Sequence, residues 1–388
     1  MATVDEIQSG DLFSEMRPEW SSLLESSPSD CLFLTWEWLH TWWKHVGRGR
    51  RIHILAVREG GQLTAIAPLA LRPPRLLRLQ PFSMLEFLGS GSVGSDYLDI
   101  VVRRGSEDQS LAALADHLQH DGSVLDLAQT LGRQSAVFQL AQRLGQFGWR
   151  ISERETNQCP YARLAGHTWD SYLGSLGREH RYAFRRKARK LAELHRVEIE
   201  RVSSEERRAV ALAELFRLHE SRWSERGGSD ALYSDALRAF HEEISRIALE
   251  RGWLRLFLLH LDGRPAAALY GFLYGGRFYF YQSGFDPAFA SRSVGMVIQG
   301  AAIESALSEG AVEYDMLHGC EPYKFHWANQ VRPLTRFGLF PASARGELSR
   351  GGARLKEAAR TMAPRLLLHA QEPAACRYRG LSIPEGTA

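Results

Sequence analysis

Apolar positions along the chain recur with two periods, and each change of period marks a new element. Over 35–46 (TWEWLHTWWKHV) the spacing is helical, with Thr35 at the N-cap and the tryptophans set to anchor the helix to a core. Alternation over 52–58 and 63–71, about Glu59-Gly60-Gly61, predicts a hairpin. A strand is expected over 95–102, a helix over 111–119, a strand over 123–127 and a helix over 135–147. The pattern then starts again. A helical period covers 169–195, basic in its middle, followed by a strand at 197–202 and helices over 205–226 and 233–250. The runs 253–261 and 265–274 flank Asp262-Gly263-Arg264, and Asp-Gly between two alternating runs is a strong hairpin signal. A strand over 277–284, a helix over 295–309 closed by Gly310, a strand over 311–317, a short helix over 322–328 and a strand over 331–340 follow.

Both stretches pass through a helix, a hairpin, a strand, a helix, another strand and a short helical piece. This order predicts an α/β (α+β) fold with mixed sheets, duplicated in tandem, although no repeat of sequence is visible. The expected division is an N-terminal domain at 1–165, a C-terminal domain at 166–342 and a tail at 343–388 with one helix around 354–369. Each half is long enough to bury a core. With 44% apolar and 24% charged residues the chain has an ordinary globular balance. A net charge of +3 suits any anionic ligand and does not call for a nucleic acid. Cys31, Cys159, Cys320 and Cys376 are scattered, without C-x-x-C or zinc-ligand spacing, so reduced thiols and no metal are expected. The first residues carry acids where a secretory leader carries bases. No apolar run approaches the roughly 18 residues that span a bilayer, so a cytoplasmic protein without a membrane span is expected.

Two segments carry candidate chemistry. In the first, a strand ends at Tyr281-Gln282-Ser283-Gly284, and Arg292-Ser293-Val294-Gly295-Met296 opens an apolar helix. Unpaired N–H groups and the macrodipole make a helix start able to hold a pyrophosphate, with a glycine allowing close approach and Arg292 adding charge. An ordinary capped helix start accounts for the same residues. The second segment, DMLHGCEPYKFHW, crowds Asp315, His318, Cys320, Glu321, Tyr323 and Lys324 just past a strand, at the sheet edge where open α/β folds place ligands.

Together the segments YFYQSGFDPAFASRSVGMVIQGAAIESALSEG and VEYDMLHGCEPYKFHW resemble the CelD/BcsL-like acetyltransferase family linked to cellulose biosynthesis. That family lies within the GCN5-related N-acetyltransferase (GNAT) superfamily and is related to the FemAB aminoacyl ligases. Tyr314, Asp315, Gly319, Glu321, Tyr323, Lys324 and Trp327 fall in order on its closing signature. The likeness extends more weakly over 168–340 and only in outline to the first half. It implies tandem acetyltransferase-like domains, a splayed central strand pair that admits acyl-CoA, and a cofactor-binding stretch at Gln282, Ser283, Arg292, Ser293, Val294, Gly295 and Met296. One departure stands out: Val297 occupies a place where the superfamily's phosphate loop has a small residue. The loop Gly89-Ser90-Gly91-Ser92-Val93-Gly94 precedes a strand and not a helix, so no coenzyme A is expected in the first domain.

The resemblance implies direct acyl transfer from acetyl-CoA, or another acyl-CoA, to an amine or hydroxyl of a polar acceptor such as a sugar, nucleotide-sugar or polysaccharide precursor. Tyr323 is expected to protonate the leaving sulfur, with Tyr281 as the alternative, and Asp315, His318 or Glu321 to take the acceptor's proton. The basic run gives Arg181, Arg185, Arg186 and Lys190, with Lys324, as candidate acceptor-binding groups. A solvated helix face accounts for that run equally well. Two rivals remain: an aminoacyl-tRNA-dependent ligase of FemAB type, in which the basic run grips RNA, and a non-catalytic module of an exopolysaccharide-synthesis complex. The absence of a heptad arm favours acyl-CoA over tRNA.

Overall fold

The structure is a computed structural model and describes residues 2–74, 80–224 and 234–366. The chain falls into two compact units. One combines Met1–Asn157 with Pro333–Arg377, and the other contains Gln158–Arg332.

The first unit opens with strand β1 (Ala2–Ile7) and helices α1 (Gly10–Glu15) and α2 (Arg17–Glu25). Helix α3 (Trp36–Val46) starts where Thr35 accepts the Trp38 N–H, and it buries Trp38 and Trp42 completely. Next come β2 (Arg51–Ile52), β3 (Ile54–Glu59), β4 (Gln62–Ala67), β5 (Leu69–Arg72), β6 (Met84–Phe87), β7 (Val101–Val102), α4 (Glu107–Asp121), β8 (Val124–Thr130), α5 (Ala136–Gln146) and β9 (Arg150–Arg163). Strands β1, β3, β4 and β7 form one antiparallel sheet. In the other, β2, β5 and β6 are antiparallel, and β6 runs parallel to β8.

In the second unit, α6 (Trp169–Ser175) and α7 (Arg178–Leu194) precede β10 (Val197–Arg201), α8 (Glu205–Ser224) and α9 (Asp235–Glu250). Then follow β11 (Leu254–Leu261), β12 (Arg264–Tyr274), β13 (Arg277–Phe285), α10 (Val294–Ser308) and β14 (Glu313–Asp315). Strands β10 to β13 are an antiparallel meander, β13 is parallel to β14 across the α10 crossover, and β14 is antiparallel to the end of β9. The chain returns to the first unit with β15 (Gln330–Phe340), antiparallel to β8, and α11 (Ala344–Leu366). Each unit thus has an antiparallel run, then a parallel strand pair, then a closing antiparallel strand, so the mixed α/β duplication is present in the topology.

Several elements differ from the periodicity. The helical pattern of 169–195 is broken at Leu176 and Gly177, both extended, into a short helix and a long one. Only Val101–Val102 of the expected 95–102 strand pairs, because Tyr97 takes a left-handed φ of 59°. Strand β9 has no apolar alternation over most of its length, and it turns inward only at Cys159, Pro160 and Ala162. The closing strand 331–340 pairs with β8 in the first unit, which takes up the chain again at Pro333. Residues 225, 226 and 233 of the expected helices, the tail beyond 366 and Cys376 lie outside the described residues. Among those described, Cys31, Cys159 and Cys320 lie outside any disulfide, and no helix is long and apolar enough to cross a membrane.

Candidate active site

The parallel pair β13–β14 is short for a physical reason. Its register covers only Arg277↔Glu313, Phe278↔Tyr314 and Tyr279↔Asp315. Beyond that point β13 stays with β12 as far as Ala267↔Phe285. The chain after β14 instead follows β9, with the Met316 N–H donating to the Pro160 carbonyl at 3.0 Å and the Gly319 N–H to the Gln158 carbonyl at 3.1 Å. Leu317, at φ 54°, turns it away. A wedge therefore opens between Phe280 and Met316, where one face of β13 has no strand partner.

On the other side of β13 the register with β12 slips between Tyr270 and Gly271, which face Gln282 and Phe280. Tyr281 is the extra residue of this bulge, a device that re-aims backbone and side chain. Gly271 is required there, since a Cβ would lie 2.6 Å from the Tyr279 carbonyl oxygen. At Gly284 a Cβ would lie 2.6 Å from the Leu218 backbone, so helix α8 crosses the strand at contact distance. His219 on α8 donates its Nδ1–H to the Ser283 carbonyl at 3.1 Å, which fixes its tautomer.

The strand leads into α10 through a turn capped by Asp286, whose carboxylate accepts the Ala288 N–H at 2.9 Å. Ser293 is left-handed at φ 59° and its side chain does not cap the helix. Its carbonyl takes the Met296 and Val297 N–H groups, while the Val294 and Gly295 N–H groups have no partner among the described residues. A side chain at Gly295 would touch only Phe285, at 3.9 Å, so the space before the first turn is open. Arg292 is exposed and unpaired among the described residues. Val297, the departure from the superfamily loop, points into the core of this unit.

The loop after β14 is built largely by the residues of the closing signature. Tyr314 stacks on Phe278 with centroids 4.5 Å apart and accepts from Gln299 at 2.9 Å. Asp315 is fully buried: one oxygen accepts the Leu317 N–H at 2.8 Å and the other faces Arg332 at 3.3 Å. Arg332 also pairs with Glu313 at 2.6 Å and lies over the Tyr161 ring. Gly319 has φ 122°, and a Cβ there would collide with the Glu321 carboxyl and lie 3.0 Å from the Lys324 ammonium. Lys324 is buried, donating to the His318 carbonyl at 2.7 Å and pairing with Glu321 at 3.2 Å. The Trp327 carbonyl accepts the buried Tyr172 hydroxyl at 2.6 Å. His318, Cys320 and Tyr323 are half buried and Glu321 is exposed. Replacing Asp315 by Asn is expected to cost about 1–3 kcal/mol of stability, read by urea unfolding, because the Leu317 turn loses its charged acceptor.

Helix α7 sets Phe184, Ala188 and Leu191 on the core. Phe184 meets Trp327 at 5.5 Å and fills the place a side chain at Gly300 would take, which seats α7 on α10. Arg185, Arg186 and Lys190 are exposed on the opposite side. Arg185 pairs with Asp170 at 3.3 Å, and Arg186 lies over Tyr182. Arg181 donates to the Gly174 carbonyl at 3.1 Å.

Composition gave no sign of a further group, His241 on α9. It is fully buried among Phe216, Phe240, Tyr270 and Tyr281, and neither ring nitrogen has a hydrogen-bond partner among the described residues. Burial pushes its imidazole down to about 3. The neighbouring Tyr270 hydroxyl is buried and likewise has no partner among the described residues.

Residues 178–325 match the acetyltransferase (GNAT) domain model. The structure of FemX superposes with a TM-score of 0.61 at 14% identity, covering 86% of this chain and 96% of that one. The C-terminal domain of a putative lysylphosphatidylglycerol synthetase from Agrobacterium fabrum gives 0.53 at 8% identity, covering 89% and 96%. L-PGS from Bacillus licheniformis gives 0.51 at 11%, covering 88% and 95%. At such identities the likeness is one of fold. No curated protein matches the sequence. The chain therefore carries a GNAT acetyltransferase domain within its second unit and is an enzyme of the acyltransferase class.

Proposed function

We propose that this acyltransferase uses acetyl-CoA, or another acyl-CoA, to acylate an amine or hydroxyl of a polar acceptor. The observation that carries the reading is the wedge between β13 and β14 with the open start of α10 just beyond β13. A pantetheine arm laid in the wedge would find strand N–H groups for its amides and the thioester carbonyl. The Val294 and Gly295 N–H groups and Arg292 would hold the pyrophosphate. The acceptor's nitrogen or oxygen attacks the thioester carbon and the carbon–sulfur bond breaks. Tyr323 supplies the proton to the sulfur. His318 or Glu321, neither of them buried, takes the acceptor's proton directly or through water. On this reading Asp315 and Lys324 act by positioning the loop, since both are buried and already bonded.

The likeness to the CelD/BcsL-like family favours a sugar, nucleotide-sugar or polysaccharide precursor as acceptor, hence a role in exopolysaccharide synthesis in the cytoplasm. The exposed cations of α7 suit an anionic acceptor. Changing Arg185, Arg186 and Lys190 together to Ala is expected to raise the acceptor KM several-fold at low salt, less at high salt, and to leave coenzyme A affinity unchanged. Loss of coenzyme A affinity would reassign the helix to the cofactor.

Filter retention of radiolabelled acetyl-CoA against aminoacyl-tRNA tests the donor. Retention of acetyl-CoA is expected. Retention of the tRNA alone would replace this reading with that of a FemAB-type ligase.

A further inference from the structure

The first unit holds a cavity of about 430 Å³ lined by residues of β6, β8, β9, β15 and α11. Its size is that of a small-molecule site. Its floor is apolar, made by Phe82, Met84, Leu125 and Phe340. Its rim is charged: five cationic side chains line it against three carboxylates. Four of those cations are engaged, Lys356 among them. Arg336 pairs with Asp126 at 2.5 Å, Arg154 with Glu357 at 3.1 Å, and Arg350 with Glu347 at 2.6 Å. Arg354 is exposed and has no partner among the described residues.

Helix α11 explains why the space is not filled. It lines the cavity with Ser349, Gly352 and Ala353, while Leu348 and Leu355 point outward at 62% and 63% exposure. Protein interiors are ordinarily close-packed, and a helix on a sheet ordinarily turns its large apolar residues inward. Here the order is reversed. The inward face is small, a cavity is left beside the apolar floor, and a cation stands at the rim.

We propose that this cavity binds an amphipathic anion, its apolar body on the Phe82–Leu125–Phe340 floor and its carboxylate or phosphate paired with Arg354 at the rim. The site is separate from the transfer chemistry, because none of its lining lies within the matched acetyltransferase domain at 178–325. The two halves of the ligand are needed together. The apolar floor gives affinity in proportion to the area covered, and the guanidinium selects for the negative head.

Calorimetry on the full chain tests this with decyl phosphate and decanoate, each below its micelle threshold, against decanol and inorganic phosphate. At least one of the two anions is expected to bind ten-fold or more tightly than both decanol and phosphate, and their ratio tells which head group the rim prefers. Arg354→Glu, a change at an exposed position, should weaken the anion at least ten-fold and leave decanol unaffected. Ser349→Phe should fill the space and abolish binding. Should that variant fail to fold, the Arg354 change decides. Equal affinity for decanol and the anions, an Arg354→Glu variant that binds like the parent, or no binding of either anion would overturn the proposal.

Discussion

Tyr323→Phe is expected to lower kcat by roughly 10²–10⁴-fold, the usual contribution of a positioned general acid, and to leave acetyl-CoA affinity almost unchanged. The substitution keeps the ring and its packing against the core of the second unit and removes only the hydroxyl. The phenol is well suited to the task. A phenol ordinarily carries its proton at neutral pH, and this one stands half-buried on the loop beyond β14. The neighbouring Tyr314 cannot substitute, because it is fully buried, bonded to Gln299 and raised well above its ordinary range by burial. Steady-state rates with a thiol-trapping reagent read the effect. Turnover close to that of the parent would remove Tyr323 from the acid role and turn attention to Tyr281 at the β13 bulge.

The second large effect is on stability at low pH. Burial holds the His241 imidazole down to about 3 in the folded chain, against 6.5 for the free group. The unfolded chain therefore binds a proton that the folded chain refuses, so stability is complete above about pH 6.5 and falls as pH drops towards 3. Between about pH 7 and pH 4.5 this group alone is expected to remove about 2–3 kcal/mol. His180, pushed down to about 4 by burial and by His326, acts in the same direction, more weakly because it is half exposed. Asp99 acts in the opposite sense, since burial raises its carboxyl to about 6. A difference measurement isolates the histidine. His241→Phe suits an aromatic surrounding and removes the titration, so its urea midpoint should fall less than the parent's between those two pH values. Parallel losses in the two proteins would contradict the assignment.

Much of the second unit was legible in the sequence because its signals are local. Asp262-Gly263 sits between alternating runs, and Gly310 follows the last turn of α10. The division of labour inside DMLHGCEPYKFHW was not legible. Asp315, Lys324 and Glu321 look like reactive groups in a list, yet two of the three are buried and all are bonded, and only long-range packing decides that. Strand β9 was hidden for a related reason. A strand that buries only its last few residues has no period to read. His241 was hidden because a single histidine on a helix gives no sign of the four aromatic rings that surround it. The reversed face of α11 likewise depends on which strands lie beneath it.

The central claim, an acyl-CoA held in the β13–β14 wedge with its phosphates at the start of α10, is tested most directly by calorimetric titration of coenzyme A into the parent and into Gly295→Glu. The space at Gly295 is open, so the variant should fold normally, with its carboxylate placed where a phosphate would lie. The account predicts a saturable heat for the parent, a matching rise in melting temperature by mass action, and neither in the variant. No heat from the parent at millimolar coenzyme A, or the same affinity in both proteins, would contradict it.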